Sequence, residues 1–132
     1  FMPMHPGVYA DLLSEKMAEH GSTAWLINTG WSGGSYGVGN RMKIKYTRAM
    51  LNAALDGELD DVEYITDERF GFEIPKSCPG VPSDVLIPRQ TWENKDEYDT
   101  TADRLASMFN KNFQRYSSGV SDEVNAAAPI VN

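Results

Sequence analysis

Residues 23–48 read TAWLINTGWSGGSYGVGNRMKIKYTR, and this stretch carries the strongest local structural signals in the chain. Its short apolar run at 23–27 is bounded by turn residues, which predicts a buried strand. Residues 30–39 contain five glycines in ten positions, which predicts a loop free to take positive φ angles. Residues 41–46 alternate apolar and basic side chains, which predicts a strand with one charged face. Thr47 then predicts the start of a helix that runs to about residue 55 and stops at Gly57.

Two longer helices are predicted on either side of this stretch. Residues 6–20 combine Pro6 in the first turn, apolar residues at helical spacing and Gly21 at the C-terminal end, which predicts an amphipathic helix. Residues 95–116 form the longest predicted helix, with Asn94 as its N-cap. One stripe of this helix is predicted to be core, namely Tyr98, Ala102, Leu105, Ala106, Phe109 and Phe113.

The middle of the chain, residues 60–89, is predicted to be mostly turns and ordered coil. Short strands are predicted at 62–65 and 70–74, but four prolines interrupt the region, and proline removes a backbone donor and fixes φ. With no internal repeat and no clear linker, residues 1–132 form a single segment. The predicted fold class is α/β, in the mixed α+β sense, with helices packed on a small sheet.

Bulk composition excludes several functions. The chain has 132 residues and a net charge of −7, so no general attraction to a nucleic-acid backbone is expected. No apolar run approaches a membrane span, and no signal peptide is recognised, so the expected location is the cytoplasm.

The single cysteine, Cys78, cannot form an intrachain disulfide. The apolar start at Phe1 favours a chain cut from something longer.

The glycine-rich loop invites a phosphate-binding hypothesis, because backbone N–H groups in such loops cradle anions. The specific signatures are missing. A Walker A loop needs Gly-Lys-Ser/Thr, and here Gly39 is followed by Asn40 and Arg41. The dinucleotide fingerprint fails at its last glycine, where Met42 stands. From the residues alone, a structural or mobile turn is the favoured interpretation.

The densest basic cluster in this acidic chain is Arg41, Lys43 and Lys45, and two interpretations stay open for it. The first is a solvated strand face, which the pattern alone favours. The second is a nucleotide site, in which a guanidinium stacks on a base or pairs with phosphate, while Met42 covers the base. Thr47 could offer its hydroxyl to the base edge or cap its helix.

No catalytic or metal-ligating residue is predicted. His5 and His20 are far apart and fit helix ends better than a metal site. The acidic residues at 56–63 lack EF-hand spacing and fit a solvated surface. Cys78 has no partner pattern and is expected to be unreactive. The tryptophans Trp25, Trp31 and Trp92 are interpreted as packing residues.

Several of these stretches, in this order, resemble ATP-dependent phosphoenolpyruvate carboxykinases. The resemblance is carried by LINTGW at 26–31 and RMKIKYTRA at 41–49, with the long glycine loop between them. It extends along nearly the whole chain through five further stretches: MHP at 4–6 with Tyr9 and Ala10, LDGELD at 55–60, IP at 74–75, PGV at 79–81, and PRQTW at 88–92. The chain is thereby identified as the C-terminal portion of such an enzyme's nucleotide-binding domain.

The resemblance implies both an activity and a site. Enzymes of this family convert oxaloacetate and ATP to phosphoenolpyruvate, ADP and carbon dioxide, using Mg²⁺ together with Mn²⁺, in gluconeogenesis or fermentation. In the family, the residues that correspond to Arg41, Met42 and Thr47 contribute to the adenine pocket. This makes the nucleotide-site interpretation of the basic cluster the favoured one and leaves Lys43 and Lys45 as surface charges.

The resemblance also implies what this chain lacks. The family's phosphate loop, its metal-binding histidine, lysine and aspartate, and its oxaloacetate-binding residues belong to segments that would precede Phe1. The isolated chain is therefore expected to be inactive. The alternative is a non-catalytic nucleotide-binding or structural module of the same ancestry. A piece of a dinucleotide-binding oxidoreductase is a third and weaker hypothesis, against which the failed fingerprint counts.

Overall fold

Proline and glycine mark the two ends of the first helix in the computed structural model, which describes residues 3–132. Helix α1, Pro6–His20, begins at Pro6, whose missing N–H costs no helical hydrogen bond. The Gly7 N–H donates to Nδ1 of His5 at 3.1 Å, and Gly21 ends the helix with a φ of 62°. Both predicted ends are confirmed. Of the apolar residues at helical spacing, Tyr9 and Met17 are half-buried, whereas Leu12 and Leu13 are exposed.

Nine further helices and strands follow α1 in the described part of the chain, with one 3₁₀ turn. In chain order they are β1 (Trp31–Ser32), β2 (Asn40–Arg41), α2 (Ile44–Leu55), β3 (Tyr64–Thr66), β4 (Glu73–Pro75), α3 (Ser83–Leu86), α4 (Pro88–Thr91), α5 (Lys95–Phe113), the 3₁₀ turn Ser117–Gly119, and α6 (Asp122–Ala126).

The strands form two separate antiparallel pairs. β1 pairs with β2, and β3 pairs with β4. Ile65 faces Ile74 in the second pair, so the two short strands predicted for the middle region exist, with boundaries shifted by one or more residues. Helices with small antiparallel sheets confirm the mixed α+β class. The short helices α3 and α4 were not predicted; each has four residues, and Pro88 opens the second.

The predicted strand at 23–27 is wrong, because this segment is irregular. Within residues 3–132 no strand pairs with it, and Leu26 is exposed. Trp25 nevertheless packs against the core. An apolar run indicates burial of some side chains, but a strand also needs a hydrogen-bonded neighbour, which the pattern does not supply.

The predicted strand at 41–46 is also wrong beyond its first residue. β2 ends at Arg41, Lys43 is the N-cap of α2, and the helix begins at Ile44 rather than at Thr47. The reason is visible in the burial of α2. Its core-facing residues recur at helical spacing from the first turn onward: Tyr46, Ala49, Met50, Ala53 and Ala54. This helical period overrides the short alternation before it.

The core lies where α2 meets the turns of the middle region. Its buried members are Ala53, Leu59, Cys78 and Val81. The Tyr64 hydroxyl donates to the Leu59 carbonyl at 2.7 Å, which connects β3 to this cluster. Burial raises the pKa of the Cys78 thiol, which makes the reactive thiolate rarer and agrees with the prediction that this cysteine is unreactive.

The longest helix, α5, begins as predicted but buries different residues. The Asn94 side chain accepts hydrogen bonds from the N–H groups of Asp96 and Glu97, so the predicted N-cap is confirmed. The helix ends at Phe113, three residues before the predicted end. Two alanines, Ala102 and Ala106, are buried, whereas Leu105 is 43 % exposed and Phe109 is 52 % exposed. The prediction that Leu105 and Phe109 are core residues is therefore wrong within the described residues.

An ion-pair network joins α5 to the turn between β3 and β4 and to α4. Arg69 Nε lies 2.6 Å from Asp103 Oδ1, and Arg89 Nη2 lies 2.9 Å from Asp99 Oδ2. The hydrogen bonds from Arg69 lower the pKa of Asp103, and those from Arg89 lower the pKa of Asp99. Both carboxylates are therefore held in the charged form that fixes the helix against these segments.

Candidate functional site at the junction of β2 and α2

A hairpin with a seven-residue loop, residues 33–39, places Arg41 at the surface. Trp31 faces Arg41 and Ser32 faces Asn40 in the register of β1 and β2. The Met42 N–H donates to the Gly30 carbonyl at 2.7 Å, which makes Trp31 and Arg41 a non-hydrogen-bonded pair. Facing side chains are closest in such pairs and lie on the same face. The sequence analysis treated Trp31 as a packing residue and did not predict this pairing.

The loop of this hairpin depends on its glycines. Gly33, Gly34 and Gly37 have φ angles of 78°, 144° and 89°, which favour glycine strongly. At Gly39 a Cβ atom would come within 2.5 Å of the carbonyl oxygens of Gly34 and Ser32. The N–H groups of Val38 and Gly39 both donate to the Ser35 carbonyl. These two donors are therefore used inside the loop, which weakens the phosphate-cradle hypothesis.

Met42 points away from the face that carries Arg41. Its side chain is buried, and it lines an apolar groove of about 990 Å³ that also borders Trp25, Leu59 and Tyr64. Of the three predicted adenine-site residues, Met42 is the one that lines this groove in the described chain; Arg41 and Thr47 do not. The Met42 N–H is already bonded to Gly30. The side chain therefore has a packing role here.

Thr47 lies in the first turn of α2 and is half-buried. The predicted capping role is wrong, because Lys43 occupies the N-cap position and the Thr47 N–H donates to the Lys43 carbonyl at 3.2 Å. Among residues 3–132, the Thr47 hydroxyl makes no hydrogen bond within 3.5 Å.

The junction is locally positive although the chain is acidic. Arg41, Lys43 and Lys45 are exposed, and the first turn of α2 contains no acidic residue. Lys43 as N-cap provides no side-chain acceptor for the first N–H groups of the helix. Cations at the positive end of a helix repel its dipole, whereas an anion there would be stabilised.

The other candidate residues occupy structural positions. His5 caps α1, as predicted, and His20 lies in its last turn. Within residues 3–132, no group of three His, Cys, Asp or Glu side chains comes together as a metal-ligand set. No chemical step through a metal is assigned to these described residues. Across the described residues, no helix has the length and apolar character needed to cross a bilayer.

The sequence matches one protein family over most of this structure. A profile described as phosphoenolpyruvate carboxykinase matches residues 1–84, which include the hairpin, the junction and the core. A phosphoenolpyruvate carboxykinase (ATP) of Flavobacterium johnsoniae is 55 % identical over 130 residues, which are 98 % of this chain and 24 % of that protein. Proteins of the same name from Bradyrhizobium diazoefficiens and Thermus thermophilus are 53 % and 54 % identical, over 99 % and 98 % of this chain and 24 % of each relative. The chain spans about a quarter of the length of these relatives, and it belongs to the ATP-dependent phosphoenolpyruvate carboxykinase family.

Proposed function

We propose that this chain is a segment of an enzyme that converts oxaloacetate and ATP to phosphoenolpyruvate, ADP and carbon dioxide, and that it supplies the adenine side of the ATP site. One observation carries the proposal. The junction of β2 and α2 presents an exposed guanidinium, Arg41, two residues before the uncapped N-terminus of α2, and Thr47 lies in the first turn of that helix. The planar guanidinium suits stacking on the base and the hydroxyl suits its polar edge, whereas the positive potential suits the phosphates of the same nucleotide.

The roles of the three residues differ. Arg41 stacks its guanidinium on the base or pairs with a phosphate oxygen, because its side chain is exposed and planar. Thr47 contacts the base edge through its hydroxyl. Met42 contributes through its backbone and by supporting the strand end, since its side chain is buried on the other face.

The proposed contribution is binding and orientation, not the chemical step. Phosphoryl transfer depends on metal ions and positioned cations. As the family resemblance implies, we assign Mg²⁺, Mn²⁺ and oxaloacetate to parts of the enzyme outside this chain; the described residues offer no metal-ligand set. We propose a cytoplasmic location for the enzyme; the single free thiol of this segment, Cys78, is compatible with a reducing compartment.

Replacing Arg41 with alanine in the full-length enzyme tests the site. We expect the KM for ATP to rise by about 5- to 150-fold, because the variant loses a charge-assisted or stacked contact worth about 1–3 kcal/mol. The KM for oxaloacetate should change much less. Steady-state kinetics with each substrate varied in turn measures both constants.

Arg104→Ala is the matched control, because Arg104 is an exposed arginine on α5. It should leave both constants unchanged. An unchanged KM for ATP in Arg41→Ala, or an equal rise for both substrates, would remove Arg41 from the adenine pocket.

A further inference from the structure

The short helix α4 is held against the first turns of α5 by polar contacts. Arg89 donates to both carboxylate oxygens of Asp99, with Nη2 2.9 Å from Oδ2 and Nε 3.0 Å from Oδ1. Lys95, the first residue of α5, donates from Nζ to the carbonyls of Gln90 and Trp92 at 3.0 and 2.5 Å. A helix of four residues is too short to be stable by itself, so these contacts determine where α4 lies.

The glycine loop of the hairpin meets the C-terminal end of α4 at close range. A Cβ atom placed on Gly33 would lie 2.7 Å from the carbonyl oxygen of Thr91, the last residue of α4. A side-chain carbon does not approach an oxygen so closely, so this contact exists only because Gly33 has no side chain. The backbone of the loop therefore lies directly against the backbone of α4.

The hairpin has little structure of its own to fix its position. Its ladder consists of two residue pairs, which are joined by the loop at 33–39. An isolated hairpin of two strands is marginally stable in water at best, and glycine loses more conformational freedom on folding than any other residue. A contact with a fixed element therefore limits the positions that Arg41, at the end of β2, can take.

We propose that α4 is a platform for the hairpin, and that Gly33 and Arg89 are positioning residues for Arg41. This inference rests on the proposed function, because Arg41 is the hairpin residue assigned to the nucleotide. α5 fixes α4 through Arg89, α4 supports the loop at Gly33, and the loop leads into β2, which ends at Arg41. Gly33 and Arg89 act through the placement of the hairpin and not through contact with the nucleotide. Their loss should therefore weaken nucleotide binding and leave the chemical step unchanged.

Alanine at two glycines of the loop separates the contact with α4 from backbone strain. Gly33 and Gly37 have φ angles of 78° and 89°, so alanine strains the backbone at both positions. The added Cβ clashes with Thr91 at Gly33, whereas at Gly37 it meets no atom within 4 Å. In the full-length enzyme, Gly33→Ala should raise the KM for ATP about tenfold and Gly37→Ala less than about threefold. Both variants should keep kcat and the KM for oxaloacetate within about twofold of the parent values.

Amide hydrogen exchange in the nucleotide-free, full-length enzyme tests the platform independently of the adenine site. The Met42 N–H, which donates to the Gly30 carbonyl at the base of the hairpin, reports opening of the hairpin. Gly33→Ala and Arg89→Ala should each speed its exchange on the order of tenfold. The double variant should exchange little faster than the more severe single variant, because both substitutions break one chain of contacts.

Two further variants show whether the effect of Arg89 depends on its bond to Asp99. Arg89→Lys keeps a cationic donor for Asp99 and should restore part of the slow exchange that Arg89→Ala loses. Arg104→Ala removes an exposed arginine of α5 and should leave the exchange unchanged. These variants leave the loop sequence intact, so they test the platform even if Gly33→Ala does not fold.

Unchanged exchange in both Gly33→Ala and Arg89→Ala would overturn the platform, as would equal increases of the KM for ATP in Gly33→Ala and Gly37→Ala. A KM for ATP that rises in Arg41→Ala but not in Gly33→Ala or Arg89→Ala would overturn the positioning role and leave the adenine site intact. If exchange speeds up but no substitution, Arg41→Ala included, changes the KM for ATP, the adenine site is wrong. The positioning role is then wrong with it, and only the contact between the hairpin and α4 stands.

Discussion

Leu59→Ala should lower the free energy of unfolding by about 2–5 kcal/mol, the range for a large buried side chain replaced by alanine. Leu59 is 3 % exposed and belongs to the buried cluster with Ala53, Cys78 and Val81. The substitution removes apolar contacts and leaves a cavity that the neighbouring helix α2 can fill only in part. Urea unfolding followed by circular dichroism measures the change.

Leu105→Ala is the matched control for this prediction, since it makes the same chemical change at a side chain that is 43 % exposed. We expect a loss of about 1 kcal/mol or less, as for most substitutions near the surface. Equal losses at the two positions would show that the core is not centred on Leu59.

Purified residues 1–132 should show no carboxykinase turnover with ATP, oxaloacetate, Mg²⁺ and Mn²⁺. Without a metal-ligand set among the described residues, the charge that develops on the transferred phosphoryl group has no metal to stabilise it. A coupled assay for ADP or phosphoenolpyruvate, run beside the full-length enzyme, measures this difference.

Metal-dependent turnover by the purified chain would contradict the prediction. If the full-length protein is also inactive in the same assay, the hypothesis of a non-catalytic module of the same ancestry gains support instead. The comparison of the two proteins therefore separates a segment of an enzyme from a module that has lost its chemistry.

The sequence predicted helix ends well where a single residue determines the end. Pro6 and Gly21 bound α1, and Asn94 caps α5, as expected from the fixed φ of proline, the left-handed conformation of glycine and the acceptor of asparagine. These signals are local, so they need no knowledge of tertiary contacts.

The strands could not be predicted in the same way. Apolar and basic side chains alternate over residues 41–46, which is typical of a strand. However, Tyr46, Ala49 and Met50 pack on the core at helical spacing, and helix α2 therefore already begins at Ile44. The sequence predicted the apolar stripe of α5 correctly as a helical pattern. Periodicity alone, however, does not show which residues of the stripe are buried by other parts of the structure. The small Ala102 and Ala106 are buried, whereas Leu105 is not.

The candidate site was predictable only in part. The basic cluster was visible in the sequence, but assigning Arg41, Met42 and Thr47 to a nucleotide required the family resemblance. The pairing of Trp31 with Arg41 was not visible, because a two-residue ladder leaves no periodic signal. The glycine loop between two short segments of strand-forming residues is the one local sign of such a hairpin.

Photoaffinity labelling with 8-azidoadenosine triphosphate tests the central claim most directly, because the reactive group sits on the adenine ring. The full-length enzyme is labelled, digested and mapped by mass spectrometry, with excess unlabelled ATP as the competition control. The account predicts competed label within residues 31–47, which carry the hairpin, Arg41 and Thr47. Competed label found only outside this segment would contradict the claim that this chain supplies the adenine side of the ATP site.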